Sequence, residues 1–530
     1  MVNIDLFSTI KEKLILVETK DDFKPVFKII QRLASNERSN KDVLTLLEEG
    51  MMKAVCLEDN ESLVNLYGLK ILQLEHLKTN LPIISELLDE MYKIAERQEY
   101  KEGLAFYYSF VWYIEKFKGK QEQSKKAILK AKDILDHAEK KNEYIYHFVR
   151  YSYAVEQWTA YHDKDCAEIF EECLLYFYNN EFYRSVVQTL GLLTIIYQQT
   201  QNKEKASSVS KLLLNHSHSF NQQPEDIKAI AYYLAGVSQL LEHNLGQADN
   251  LLSESYSLLN NKLYHSNFYP YYIIRLLSHI AIIHALQGKL EQSFEEIVKI
   301  ENLFDDEHIN NGMDNNSKEQ VIHTLNLIKF YVYSRLFDFK AEKVQILINK
   351  IYQGIENNYS DSILLSEFIL NAKLDSEQVK KLINTRNASL FRVKHILKYA
   401  LTKSSNDSEM RIKSLKSIRS NKQTIKNFTF IEKAHSDLQL AQELFSLKRY
   451  AEISPLLKKY ENRLKQIEVL EMRIFMEAFI QVGAYKNGDP LGPALQYMAI
   501  KKCRLYGFSR LENTLLDYLQ LQHKEITRAV

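Results

Sequence analysis

Gly119-Lys-Gln-Glu-Gln-Ser124 returns 169 residues later as Gly288-Lys-Leu-Glu-Gln-Ser293. Three related junctions lie between them: Asp163-Lys-Asp-Cys-Ala167, Asn202-Lys-Glu-Lys-Ala206 and Leu245-Gly-Gln-Ala248. Each follows an aromatic-rich stretch and precedes a second amphipathic one. The small residues in register, Ser124, Ala167, Ala206, Ala248 and Ser293, stand 43, 39, 42 and 45 residues apart, a mean of about 42. Self-similarity at a fixed period of roughly 20–50 residues marks stacked supersecondary units.

The flanking segments are helical in pattern. Apolar residues recur at three- and four-residue spacing in Ile227–Asn260, Tyr272–Leu286 and Glu291–Phe304, which is the signature of amphipathic helix. No stretch alternates with period two for long enough to demand a sheet. Breakers are scarce, with 14 glycines and 7 prolines in 530 residues, against average usage of roughly 7% and 5%. Turn-dense sandwiches and propellers are thereby excluded. Helix starts are predicted at Ser317, which has capping-box spacing to Gln320, at Asn80 ahead of Pro82, and at Pro224. The fold class is all-α, a solenoid of antiparallel helix pairs with a less regular N-terminal helical segment.

The junctions resemble the tetratricopeptide repeat. That pattern places an aromatic residue, a Leu-Gly pair and a Tyr on helix A, and small residues on helix B. Tyr232, Ala235-Gly236 and Ala248 match it best, and Ala281, Gly288 and Ser293 follow in the next unit. Small residues sit where two helix backbones approach closely. The units are longer than the family's ~34 residues and lack its closing proline. In this they resemble the repeats of MalT-like transcription regulators and Rap-like peptide receptors. The resemblance implies protein or peptide binding and brings no catalytic residue with it.

Four regions follow from the pattern: an N-terminal helical segment 1–98, a repeat block 99–302, an irregular helical region 303–430 and C-terminal repeats 431–530. The last block contains the hinge Phe445–Ile453, a second hinge Gly488–Ala494, and a tail from Cys503 similar to the final helices of a MalT-like solenoid. The third region contains a turn-rich acidic loop, Asp305–Ser317, and the basic segment Arg411–Lys426. That segment carries six basic residues and no acid. It reads as a solvated face packed on its neighbours, or as a surface for an acidic partner, RNA or membrane.

Charge and motifs mostly exclude. The 69 basic and 68 acidic residues leave a net charge of +1, so no global field favours nucleic acid. Cys56, Cys166, Cys173 and Cys503 form no zinc spacing. With no apolar signal core in Met1–Lys20, they point to a reducing, cytoplasmic setting. The longest uncharged stretch, Ser185–Asn202, carries Gln188, Gln198, Gln199 and Gln201, which argues against a membrane span. No Walker loop, HExxH, GxSxG or Rossmann pattern occurs. Fifteen histidines are scattered, and His279 and His284 are five apart where a helix-borne metal pair wants four. The expectation is a protein that is not an enzyme and uses no cofactor or metal.

Helix A of each unit lines the concave face of such a solenoid. Numbering from the small residues projects Tyr113, Ser152, Glu156, Gln188, Gln198, Tyr233, Arg275 and Ser278 inward. Most are polar, which suits an extended peptide, although every helix also needs a wet side. The predicted function is a protein- or peptide-binding scaffold. The alternative is a peptide-sensing regulator that releases or captures a partner.

Overall fold

The computed structural model describes residues 2–516 except 38–39, 75–76, 140–141, 162, 164, 201, 220–224, 261–267, 307–314, 337–341, 357–360, 373, 386–389, 391–392, 404–406, 422–427, 487–491, 507, 509–511 and 514. Most of the acidic loop, Pro224, the Lys422–Lys426 end of the basic segment, the hinge from Gly488 to Leu491 and the tail beyond 516 lie outside the described residues. So do the side chains of His216 and His218.

Among the described residues there is no strand, and 25 α-helices follow one another. The first group is α1 (Val2–Leu16), α2 (Lys20–Asn36), α3 (Lys41–Cys56), α4 (Asn60–Gln73) and α5 (Leu77–Arg97). The central group is α6 (Lys101–Phe117), α7 (Gln121–Asp136), α8 (Glu143–Tyr161), α9 (Cys166–Asn179), α10 (Tyr183–Gln199), α11 (Lys203–Ser219), α12 (Glu225–Leu241), α13 (Leu245–Leu259), α14 (Phe268–Leu286) and α15 (Leu290–Asp305). Then come α16 (Asn315–Leu336), α17 (Glu342–Gly354), α18 (Ser362–Asn371), α19 (Ser376–Asn384), α20 (Lys394–Lys403) and α21 (Ser408–Ser420). The last are α22 (Phe430–Ser446), α23 (Tyr450–Glu461), α24 (Leu470–Lys486) and α25 (Gly492–Leu505).

Two of the expected helix starts are corrected. The helix carrying Ser317 begins at Asn315, so Ser317 lies within its first turn. The helix carrying Pro82 begins at Leu77, which puts the proline inside it. Capping boxes do form elsewhere, at Thr19 with Asp22, Asp375 with Gln378, and Thr429 with Glu432. Each satisfies two backbone donors that a helix start leaves open.

Helices pack on their sequence neighbours, and the even-numbered ones also stack on each other. α2 meets α4, α4 meets α6, and α6 meets α8; a second run packs α10, α12, α14, α16, α18 and α20 in order. The small residues lie at the crossings. Ser124 Oγ donates to the Trp112 carbonyl at 3.2 Å, and Ser293 Oγ donates to the Ala281 carbonyl at 2.9 Å. Both pairs are twelve apart in sequence, so the two copies of the opening motif make one and the same contact. Gly236 and Ala248 share that spacing. Ala248, Ala281, Ser124 and Ser293 are fully buried.

The junctions repeat a second feature. Glu58, Glu99, Gly119, Glu181, His243, Gly288 and Lys448 have φ between 51° and 80°. At each, the amide donates three residues back and the next amide five back, as in Glu99 to Glu96 at 3.1 Å and Tyr100 to Ala95 at 2.8 Å. This is a helix stop closed by a left-handed residue. Five of the seven are not glycine, although the left-handed region costs an L-residue about 1–2 kcal/mol.

The buried core forms two large clusters, one from Ile10 to Leu251 and one from Ala229 to Leu516, which interleave over α12 and α13. Ile84, Met91 and Ala95 share the first cluster with Phe106 and Phe110, so packing is continuous across residue 98. Tyrosines join this packing, with Tyr144 edge-on to Phe106 at 6.1 Å and Tyr151 edge-on to Phe170 at 5.5 Å.

A Cβ added at Gly236 would lie 2.7 Å from the Leu252 side chain and 3.3 Å from the Leu252 amide nitrogen. Gly236→Leu should therefore overpack the α12–α13 crossing and cost about 1–3 kcal/mol. Chemical denaturation of the variant and the parent measures it, and equal midpoints would contradict the register.

Candidate functional site

All eight projected residues lie on even-numbered helices, but those helices use them differently. Ser152 and Ser278 are buried, and each hydroxyl donates to the carbonyl four residues back, Phe148 and Ile274. Tyr233 is buried edge-on against Tyr272, with ring centroids 5.6 Å apart. Gln198 is half-buried, and its amide donates to the Ser238 carbonyl at 3.1 Å. Gln188 and Arg275 are half-buried, and Tyr113 is exposed. Ser152, Glu156, Tyr233 and Ser278 are thus buried in the packing between helices, which corrects the expectation that they line an accessible surface. The reason is geometric: in a tight stack the inner faces of neighbouring A helices touch.

Glu156 is 2% exposed. Its Oε2 accepts from Trp112 Nε1 at 3.0 Å and from Lys116 Nζ at 2.7 Å, both on α6. Lys116 is its ionic partner, whereas Arg275 lies beside His279. Burial first, and then the Arg275 charge, hold the His279 imidazole down at about 3.

Two buried arginines also occupy this layer, and the sequence reading missed both. Arg184 at the start of α10 pairs with Asp226 at the start of α12. Its Nε donates to the Asn36 carbonyl at 3.0 Å, placing a cation at the C-terminus of α2, where the helix dipole favours it. Asn36 Nδ2 donates in return to the Glu181 carbonyl at 2.8 Å. Arg335 on α16 does the equivalent in the second half. Its Nε donates to Glu471 on α24 at 2.7 Å, and its Nη2 donates to Glu367 on α18 at 2.9 Å and to Glu471. Nη1 donates to the Tyr331 carbonyl at 3.2 Å and to Ser334 Oγ at 2.9 Å. The guanidinium lies 3.4 Å from the Tyr331 ring centroid. Each arginine joins its own helix to the one two places on, and also to a helix eight places away in sequence. The stack therefore turns back on itself twice and is pinned each time by one buried cation.

Burial pushes the Glu367 carboxyl up. The neighbouring His435 and the charge of Arg335 outweigh it and hold the group at about 2. His435 Nε2 lies 3.5 Å from Glu367 Oε1.

Three of the four described basic residues of the basic segment are engaged within the chain. Arg411 pairs with Glu443 at 2.9 Å, Lys416 with Glu452 at 2.9 Å, and Arg419 with Asp437 at 2.5 Å, while Ile412 and Leu415 are buried. Among the described residues no group of three or more His, Cys, Asp or Glu could hold a metal ion, and no helix is long and apolar enough to cross a membrane. Cys166, Cys173 and Cys503 are buried free thiols, pushed up to about 12 by burial, and Cys56 is a free exposed thiol.

Removing the Arg335 cation leaves two half-buried carboxylates without their partner. Arg335→Ala should cost about 3–5 kcal/mol, read as a fall in unfolding free energy by denaturant titration.

His323, on the same helix, is 3% exposed, and burial lowers its imidazole from 6.5 to about 4. In the unfolded chain it takes up a proton near 6.5. Stability present above pH 6.5 is therefore lost as the pH falls toward 4, at about 1.4 kcal/mol per pH unit for a fully differential site. His323→Gln should flatten the denaturation midpoint against pH across that window. A profile as steep as the parent's would contradict the assignment.

No protein-family model matches this chain, and comparison with curated proteins gives no match.

Proposed function

We propose that the chain is a non-enzymatic scaffold that binds protein or peptide segments along its inner, even-helix layer, in the cytoplasm. The observation that carries this reading is the layer itself. It presents Tyr113 on α6, Gln188 and Gln198 on α10, and Arg275 on α14 at least partly open. Side chains on alternate units of one helix layer suit an extended segment that crosses several of them. The long-repeat tetratricopeptide resemblance supports the same reading.

A second reading, a regulator that captures or releases a partner when peptide binds, is favoured by the arginine contacts between helices eight places apart. A ligand that shifts the stacking angle strains those contacts, and the two ends move relative to each other. Small-angle scattering with and without the captured partner separates the readings, since a scaffold keeps its radius of gyration.

The scaffold reading is tested by affinity capture from native lysate, with binding of the captured partner then measured directly. A charge-assisted contact is worth about 1.5–3 kcal/mol, so Arg275→Ala should weaken binding roughly ten- to a hundredfold. Lys289, whose side chain is 45% exposed on the turn into α15, should tolerate alanine without effect. Equal binding by both variants and the parent would remove the inner layer as the binding face.

A further inference from the structure

The even charge of the whole chain conceals a basic block. Residues 376–466 hold 20 lysines and arginines and 8 aspartates and glutamates, a surplus of twelve in a chain of net charge +1, so the remainder is net −11. The block is α19 to α23 and the turn that follows, five helices each packed on the next. Packing inside it uses the acids. Asp407 caps α21, accepting from the Glu409 and Met410 amides at 3.0 and 3.1 Å, and Glu432 closes the capping box at Thr429. Glu409 pairs with Arg449 at 3.0 Å, and Glu443 with Arg411 and Glu452 with Lys416, both at 2.9 Å. Asp437 pairs with Arg419 at 2.5 Å and with Lys459 at 2.6 Å. Only Glu377 and Glu461 stand outside these contacts. What is left over is lysine. Lys380, Lys394, Lys398, Lys413, Lys448 and Lys458 are exposed, and their ammonium groups make no hydrogen bond or ion pair with any described residue. Lys394 and Lys398 stand one turn apart on the open side of α20, whose other side buries Ile396, Leu397 and Tyr399.

The character of this surface selects its partner. A membrane or a folded protein is met through apolar side chains, and lysine is depleted from protein interfaces. Met410 is the one exposed large apolar side chain among the described residues of the block. Single-stranded nucleic acid is gripped by stacking on open rings, whereas Tyr399, Phe428, Phe445 and Tyr460 are buried. Arginine forks read base edges, and Arg411, Arg419 and Arg449 are held in ion pairs within the block. The open ammonium groups are point charges, suited to phosphate oxygens. Duplex DNA presents one such charge about every 1.7 Å of its axis. We infer that the outer surface of α19–α23 binds duplex DNA through its phosphate backbone, without sequence preference. This surface is separate from Tyr113, Gln188, Gln198 and Arg275 on α6, α10 and α14, so it and the scaffold reading stand or fall independently.

The test uses the full chain and the fluorescence anisotropy of two labelled DNA duplexes of about 24 base pairs and unrelated sequence, across about 50–300 mM salt. Both should bind alike, with log affinity falling linearly against log salt by about 0.9 for each phosphate neutralised. Lys394→Gln, Lys398→Gln and Lys413→Gln, combined, remove three exposed charges that hold nothing else in place. The triple variant should keep the parent's melting temperature, bind about tenfold or more weakly at low salt, and lose about 2–3 from the salt slope. Lys28→Gln with Lys126→Gln, at two exposed lysines outside the block, should bind as the parent does. Absence of binding at about 50 mM salt, or a triple variant with the parent's slope and affinity, would overturn the inference. So would an equal loss in the Lys28→Gln, Lys126→Gln control, or a preference of about tenfold or more for one duplex. Tighter binding to polyglutamate or to phosphatidylserine vesicles than to either duplex would reassign the surface to an acidic protein or a membrane, and the inference would fail.

Discussion

The close crossing inside each helix pair governs the rest of the structure. Where Ser124 meets the Trp112 carbonyl and Ser293 meets the Ala281 carbonyl, the B helix can come near only because it presents a small side chain. Two helices held that closely bury one face against each other and leave a second apolar face on each. That face is satisfied only by the next pair, since a single hairpin cannot enclose a core. The two interleaved core clusters, running from Ile10 to Leu516, are the consequence. The stacked even-helix layer follows from the same constraint, because repeating one crossing along the chain brings the A helices side by side.

The buried arginines act on a different scale. A desolvated ion pair is a weak source of net stability, since the cost of removing two charges from water rivals their attraction. Its effect is on register. Arg335 can satisfy Nε, Nη1 and Nη2 together only when α16, α18 and α24 stand in one arrangement. Any slip of the stack strands a charge. Arg184 imposes the same condition on α2, α10 and α12 through the Asn36 carbonyl and Asp226. Apolar crossings tolerate small changes of angle, and the two arginines remove that freedom where the chain returns on itself.

The hairpin period was legible because it rests on residue type. Small residues near 42-residue spacing, glycine at positions 119 and 288, and helical periodicity between them are all visible in one dimension. The stops at Glu58, Glu99, Glu181, His243 and Lys448 were not. A left-handed position filled by an ordinary residue is held by packing on either side and has no local sequence mark. This also explains why units before residue 98 read as irregular while packing like the others. For the inner layer, periodicity placed Glu156 and Arg275 on the A helices without showing which side chains neighbouring A helices cover. One signal was available and unused. Arg184 and Asp226 are 42 residues apart, and Lys116 and Glu156 are 40 apart, close to one repeat. In a stacked array, opposite charges at repeat spacing fall opposite each other on adjacent A helices.

Arg335 and Glu156 differ in how fully the chain itself satisfies a buried charge. Every nitrogen of the Arg335 guanidinium has an acceptor within the chain, so nothing external can add to that network without first breaking it. Glu156 is as deeply buried, yet its hydrogen bonds converge on one oxygen and it borders a cavity. The difference lies in geometry between helices. Arg335 sits where helices of one layer converge from three directions, so partners surround it. Glu156 sits on α8 against Trp112 and Lys116 of α6 and beside a cavity between α7 and α8 that Leu129 and Tyr153 also line.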